Sequence, residues 1–291
     1  MDELTLVVQY VWNGIAIGAV YALIALGVTL VYGLSRIIHF AVGEMVMVCA
    51  FVAWSVQDLT GSFAIALVAA VAAGATIGLV TERLMFQFTY DAPLAGFVVS
   101  LGLIIFLQSL ASEIWGVDTR TVRAPFQGVH EVGALVFRDQ TLFNTALILV
   151  VMAVFYLGLS RSRWGRALRA TADNREAAAL MGIPVRRLTM MTFVIGAALA
   201  GIAGWVVLTL GAISPFVGGS YVLRGFAVAL IGGLGNIKGA AVAGLGLGVA
   251  EALAIGYLDP GWSEAYVLGL VILVLLVRPT GLGAGAEGAT L

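Results

Sequence analysis

The chain has 291 residues, 61% of them hydrophobic and only 11% charged, with a mean hydropathy of +1.06 and a net charge of −1. Soluble domains carry roughly 25% charged residues, so this sequence lacks the polar surface to cover a water-exposed globule. The net charge says nothing about nucleic acid, because the positive charge is concentrated at membrane borders, though no nucleic-acid partner is expected. A lone cysteine, Cys49, allows neither an internal disulfide nor a thiolate metal cluster.

Apolar segments run over 6–32, 37–56, 63–81, 94–115, 142–160, 188–210, 224–257 and 262–277. Runs of about 20 apolar residues read as membrane-spanning helices. The expected fold is therefore all-α: a polytopic membrane helix bundle of about 8 (8–10) transmembrane segments, with residues 1–291 forming one transmembrane domain. Asp2 and Glu3 stand where a signal peptide would carry basic residues, so no cleavable leader is expected.

The first segment contains Asn13 and several glycines. Arg36 precedes the second, which contains His39 and Glu44, and the fourth contains Gln108. Polar groups inside spans are costly and are candidates for function. Asn13 and Gln108 also suit interhelical hydrogen bonds, and Arg36 or His39 could neutralise Glu44. Glu44 fits a structural charge pair as well as a polar pathway. Between residues 116 and 141 lies a loop of mixed charge, with Asp118, Arg120, Arg123, His130, Glu131, Arg138 and Asp139.

The 161–187 segment is the strongest charge feature. It holds Arg161, Arg163, Arg166, Arg169, Arg175, Arg186 and Arg187 against only Asp173 and Glu176. The positive-inside rule assigns it to the cytoplasm. Counting back five crossings puts the N-terminus, 57–62 and 116–141 outside, and Arg36 and Arg83 inside. Asp173 or Asn174 can cap a short helix starting near Arg175, Gly182 can end it, and Pro184 follows. Two short amphipathic helices along the membrane are expected. Attraction to anionic lipid would explain the arginines. It would not explain the Ala177-Ala178-Leu180-Met181 patch, which has the character of a partner-binding surface.

Beyond residue 210 the count depends on Gly232-Gly233-Leu234-Gly235-Asn236. Left unbroken, 224–257 is one span and Arg278 falls outside. Broken near 232–239, it becomes a very short helix plus a full one, giving nine crossings with Lys238 and Arg278 both inside. The broken form is preferred. Asn236 and Glu251 are the polar residues of this region. Glycines and alanines four apart (Gly14 and Gly18; Gly74 and Gly78; Gly196, Ala200 and Gly204) read as helix-packing contacts.

No GxSxG, HExxH or GxxxxGK[ST] pattern occurs, and His39 and His130 are separated by several spans. An enzyme reading has little support, and ATP, if it drives this chain, must be bound by another subunit. No cofactor of its own is expected.

Glu176-Ala177-Ala178, followed after three residues by Gly182, resembles the first half of the EAA motif of ABC importer permeases. Tyr21 to Gly27, Val31-Tyr32-Gly33, Arg36 to Glu44, Thr192 to Ala198, Ile231 to Asn236 and Arg278 to Gly281 resemble, in order, the branched-chain amino-acid permease family. The resemblance covers nearly the whole chain. It implies a permease subunit in the bacterial cytoplasmic (inner) membrane, working with a homologous permease, two cytoplasmic ATPases and an extracytoplasmic solute-binding protein.

The resemblance further implies an ATPase-coupling element built on Arg175, Glu176, Ala177, Ala178, Gly182 and Ile183. Asn13, His39, Glu44 and Asn236 are the candidates for the translocation pathway. Two features depart from the family: His39 stands where asparagine is common and Val42 where histidine is common, and the second half of the EAA motif is not evident. Substrates handled by the family include branched-chain amino acids, urea, short amides and aromatic acids. The rival reading is an ion-coupled secondary transporter or channel using Glu44, His39 and Glu251.

Overall fold

A computed structural model describes residues 3–279 and 281–282. The helices are α1 (Glu3–Ser35), α2 (Val42–Thr60), α3 (Phe63–Leu84), α4 (Pro93–Trp115), α5 (Asp139–Arg161), α6 (Arg163–Asp173), α7 (Arg175–Leu180), α8 (Val185–Leu210), α9 (Val217–Gly232), α10 (Ile237–Tyr257) and α11 (Ser263–Val277). Eight helices among the described residues are long and apolar enough to cross a membrane, and α9 is a shorter apolar helix. The protein is a multi-pass helical membrane protein. Thr280, within the Arg278–Gly281 match, lies outside the described residues.

The chain does break at 233–236. Gly233 and Gly235 take φ of 89° and 90°, a region that L side chains rarely enter. Asn236 then caps α10, its Oδ1 accepting from the Gly239 N–H at 2.9 Å. The helix before the break is longer than expected, because Val217 to Leu223 are helical rather than loop. Its 16 residues span about 24 Å, close to the roughly 30 Å of a bilayer core.

α9 and α10 form an antiparallel pair, with Gly232 against Ala240 at one end and Arg224 bonded to Glu251 further along. Basic residues gather at the end that carries α6 and α7, termed inner below. Arg36 donates to the Ala172 carbonyl, Arg186 to Gln87, and Lys238 lies over the Tyr156 ring. Gly281 packs on Leu230 and Gly233 at this same end. The nine-crossing count reproduces this gathering, and the eight-crossing count does not.

α1 is apolar on every side and lies at the centre, its C-terminal half almost wholly buried. Small residues let backbones touch there. A Cβ added to Gly18 would sit 2.6 Å from the Gly244 carbonyl, and one on Gly14 would meet the backbone of Val249. α3 and α8 use the same device through Gly74, Gly78 and Gly201. Without a hydrophobic drive between helices in lipid, such close approach carries much of the association. The exposed apolar side chains of α3, α4, α5 and α11, among them Val68, Ile105, Val150 and Leu273, suit lipid contact.

The 116–141 segment contains a β-hairpin that the sequence did not announce. β1 (Val129–Val132) pairs antiparallel with β2 (Leu135–Arg138), with Val129 opposite Arg138. Gly133 supplies a positive φ of 67° in its two-residue turn. Gln9 of α1 fixes the hairpin by giving and taking one hydrogen bond with the Val136 backbone, at 3.0 and 2.9 Å.

Candidate functional site

Three features concentrate unusual chemistry: the α6–α7 loop, an unwound stretch at 36–41, and an outer cavity beside Asn13. α6 is amphipathic. Gly165, Leu168 and Thr171 are buried at helical spacing, while Arg163 and Arg166 face out. Ser162 caps it, accepting from the Gly165 N–H at 3.0 Å. One residue separates it from α7, where Asn174 accepts from the Ala177 N–H at 2.9 Å.

The spacing from Glu176 to Gly182 follows from how α7 starts and stops. Glu176 lies in the first turn, where the helix dipole favours a carboxylate. At the other end, Ile183 N–H bonds to the Ala178 carbonyl at 3.1 Å and Gly182 N–H to that of Ala179 at 3.0 Å. That is the Schellman closure, which places its C′ residue at positive φ. Gly182 has φ of 81° and is that residue. The turn leaves Leu180 and Met181 at 87% and 82% exposure, while Ala178 is buried. Ala178 thus anchors the patch while Ala177, Leu180 and Met181 face out. The patch is an apolar tip held away from the body.

Arg175, at the start of α7, lies over the Tyr90 ring at 5.0 Å. The Tyr90 hydroxyl donates to Glu82 at 2.6 Å, near the inner end of α3. Burial first, then that neighbouring carboxylate, push the Tyr90 phenol well above its usual range, so it remains a donor. Arg36 ties α6 to the end of α1 through its bond to Ala172, at 3.3 Å.

Arg36 also begins the unwound stretch, with a φ of 56° that is rare outside glycine. From there the chain climbs beside α4. Ser100 Oγ accepts from Phe40 N–H and lies 3.3 Å from the Ile38 carbonyl and 2.8 Å from that of Phe97, between which its one proton is shared, and Glu44 meets Gln108 eight residues further along α4. Eight helical residues are about 12 Å, so α2 starts within the bundle rather than at its edge. Irregular backbone at this depth is tolerated where protein or a water-filled path covers it.

His39 and Glu44 belong to this stretch but have different neighbours. His39 is buried against Phe86 and Phe193, with ring centroids at 4.7 and 5.7 Å, and neither nitrogen has a hydrogen-bond partner among the described residues. Glu44 is fully buried. Its Oε1 accepts from Gln108 Nε2 at 2.9 Å, whereas its Oε2 has no partner there. Neither Arg36 nor His39 neutralises it. Instead the carboxylate sits in the first turn of α2 and against the first turn of α9, where a Cβ added to Gly218 would fall 2.6 Å from the carboxyl carbon. Two helix N-termini therefore face it, and both favour negative charge.

The four pathway candidates do not converge. Asn13 is exposed near the outer end of α1, accepts from Gln9 at 3.3 Å and lines a cavity there. Asn236 caps α10 at the inner end. Glu251 is engaged by Arg224, whose guanidinium approaches it at 2.8 Å through Nη2 and 2.9 Å through Nε. Arg224, the first residue of the 224–257 run, is a functional residue that the sequence reading did not single out. Glu251, the only acidic residue inside that run, was the signal that could have found it.

Known proteins resemble the chain along nearly its full length. A family described as the branched-chain amino acid transport system permease component matches residues 10–276. The high-affinity branched-chain amino acid transport system permease protein LivH of Escherichia coli is 35% identical over 290 residues, covering 94% of each chain. Its namesake in Salmonella typhimurium is 37% identical over the same shares, and the permease protein BraD of Pseudomonas aeruginosa is 34% identical over 97% of each. The chain belongs to the family of branched-chain amino acid transport system permease components.

Proposed function

We propose that this chain is a permease subunit of an ABC importer that moves branched-chain or related small amino acids or amides across the bacterial cytoplasmic membrane. It acts as one transmembrane unit beside a homologous permease. Two cytoplasmic ATPase subunits bind and hydrolyse ATP, docking on the 161–187 loop, and an extracytoplasmic solute-binding protein delivers the substrate. The chain itself is not an enzyme.

The observation that supports this most is the geometry of α7. A capped helix of six residues ends in a glycine closure that holds Leu180 and Met181 in solvent. A carrier that works alone has no use for such a tip, whereas an ATPase groove would bury it. Arg175, Glu176, Ala177, Ala178, Gly182 and Ile183 form or support the contact. ATP binding can bias the permease only through contacts that differ between its states. Arg175–Tyr90–Glu82 and Arg36–Ala172 connect this loop to α3 and to the unwound stretch, where such differences would act.

Glu44, with one oxygen free at the junction of α2 and α9, is the foremost pathway candidate, and His39 lines the same stretch. Asn13 belongs to the outer approach and Asn236 to the hinge between α9 and α10. The ion-coupled alternative is weaker, because Glu251 is occupied by Arg224. Uptake of leucine into vesicles holding the chain with its ATPases and binding protein tests the reading. ATP-dependent uptake that needs every component supports it; ATP-independent uptake by the chain alone rejects it.

A further inference from the structure

A cavity of about 640 Å³ opens at the outer end, between α1, β2, the start of α5, the end of α8 and α9. That volume lies within the ~300–1,000 Å³ range of small-molecule sites. Its wall divides by chemistry. Ile17, Val20 and Leu210 supply an apolar side, Asn13 and Tyr221 polar groups, and Arg138 is the one basic residue of the lining. Among the described residues no acidic side chain lines it.

Arg138 is fixed in position by its backbone. It closes β2, pairs with Val129 across the hairpin and is the residue before the first turn of α5. Its side chain has no ion-pair or hydrogen-bond partner among the described residues. The neighbouring carboxylate, Asp139, is held by His130 at 2.9 Å. A free guanidinium on a rigid strand end, beside an apolar wall, matches a carboxylate attached to an aliphatic group.

We propose that this cavity receives the transported amino acid on its outer approach, Arg138 taking the α-carboxylate and the Ile17–Leu210 wall taking the aliphatic side chain. The assignment rests on the importer reading. A lipid phosphate offers the same anionic chemistry, so the experiment separates the two sources.

The whole importer is reconstituted in phosphatidylcholine vesicles, with and without phosphatidylglycerol, and leucine uptake is measured beside binding-protein-stimulated ATP hydrolysis. Arg138→Gln is expected to lower leucine moved per ATP by about tenfold or more, the loss typical of a charge-assisted hydrogen bond. Arg138→Lys should recover part of it. Ile17→Trp, which fills the cavity from a partly exposed position, should lower the same ratio. The binding-protein concentration that half-saturates hydrolysis should stay constant in all three.

Unchanged uptake per ATP in Arg138→Gln and Ile17→Trp overturns the proposal. So does a half-saturating concentration that rises in step with lost uptake, which would make Arg138 a docking residue. Wild-type uptake that depends on phosphatidylglycerol, with the dependence lost in Arg138→Gln, assigns the site to a lipid headgroup and also overturns it. A wild-type complex that moves no aliphatic amino acid rejects the importer reading itself, and this assignment with it.

Discussion

Gln108 of α4 donates its side-chain amide to Glu44 of α2 at 2.9 Å, joining residues 64 apart in sequence at the depth where α2 begins. The other carboxylate oxygen is left without a partner among the described residues. A buried carboxylate so placed depends on the amide and on two helix N-termini, with no basic side chain bonded to it.

Gln108→Leu should therefore destabilise the protein. A buried acceptor stripped of its donor costs roughly 1–3 kcal/mol. Glu44→Met in the same background removes the orphaned group and should recover most of the loss. Thermal unfolding in detergent checks both. A double variant less stable than Gln108→Leu would show that Glu44 is held by interactions other than this one.

Arg224 and Glu251 form a different kind of pair, with both charges present and both side chains largely buried. Removing one partner of a buried pair costs about 3–5 kcal/mol, while replacing both with apolar residues is often close to neutral. Arg224→Met and Glu251→Met should each lower stability sharply and Arg224→Met/Glu251→Met much less. Additive losses would argue against direct coupling.

The contact between α1 and α10 can be tested with two glycines on one helix. A Cβ at Gly248 would collide with the backbone at Gly14 and Gly18, whereas one at Gly246 meets nothing within 4 Å. Gly248→Ala should cost roughly 1–3 kcal/mol by overpacking, and Gly246→Ala almost nothing. Equal effects on detergent stability would contradict the packing described.

Arg36 ties the α6 carbonyl at Ala172 to the start of the unwound stretch. Arg36→Ala should leave complex assembly and ATP hydrolysis near wild-type levels while lowering uptake per ATP several-fold. A parallel fall in hydrolysis and uptake would make the residue structural rather than a link in coupling.

Much of this was legible in the sequence where the signal is local. Long apolar runs located the spans, Asn174 and Gly182 marked the limits of α7, and the glycines at 232–235 marked the break. The opening of α9 fell outside the 224–257 run because Gly218, Gly219 and Ser220 are poor helix formers; Gly218 packs on Glu44 of α2 and Ser220 bonds to Glu264 of α11. The partner of Glu44 was out of reach for another reason. Arg36 and His39 are near it along the chain, but the non-helical stretch 36–41, which ends in a turn at Phe40 and Ala41, carries Glu44 away from Arg36 and toward α4. The β-hairpin escaped because each strand has four residues, too few for alternation to stand out from a mixed loop.

The central claim, that α7 presents an apolar tip to an ATPase subunit, is tested most directly by co-purification. Leu180→Asp/Met181→Asp changes only exposed side chains, so the chain should insert and unfold as the wild type does. The account predicts that the wild-type chain co-elutes with its ATPase subunits and that the double variant elutes without them. Undiminished co-elution of the double variant would contradict it.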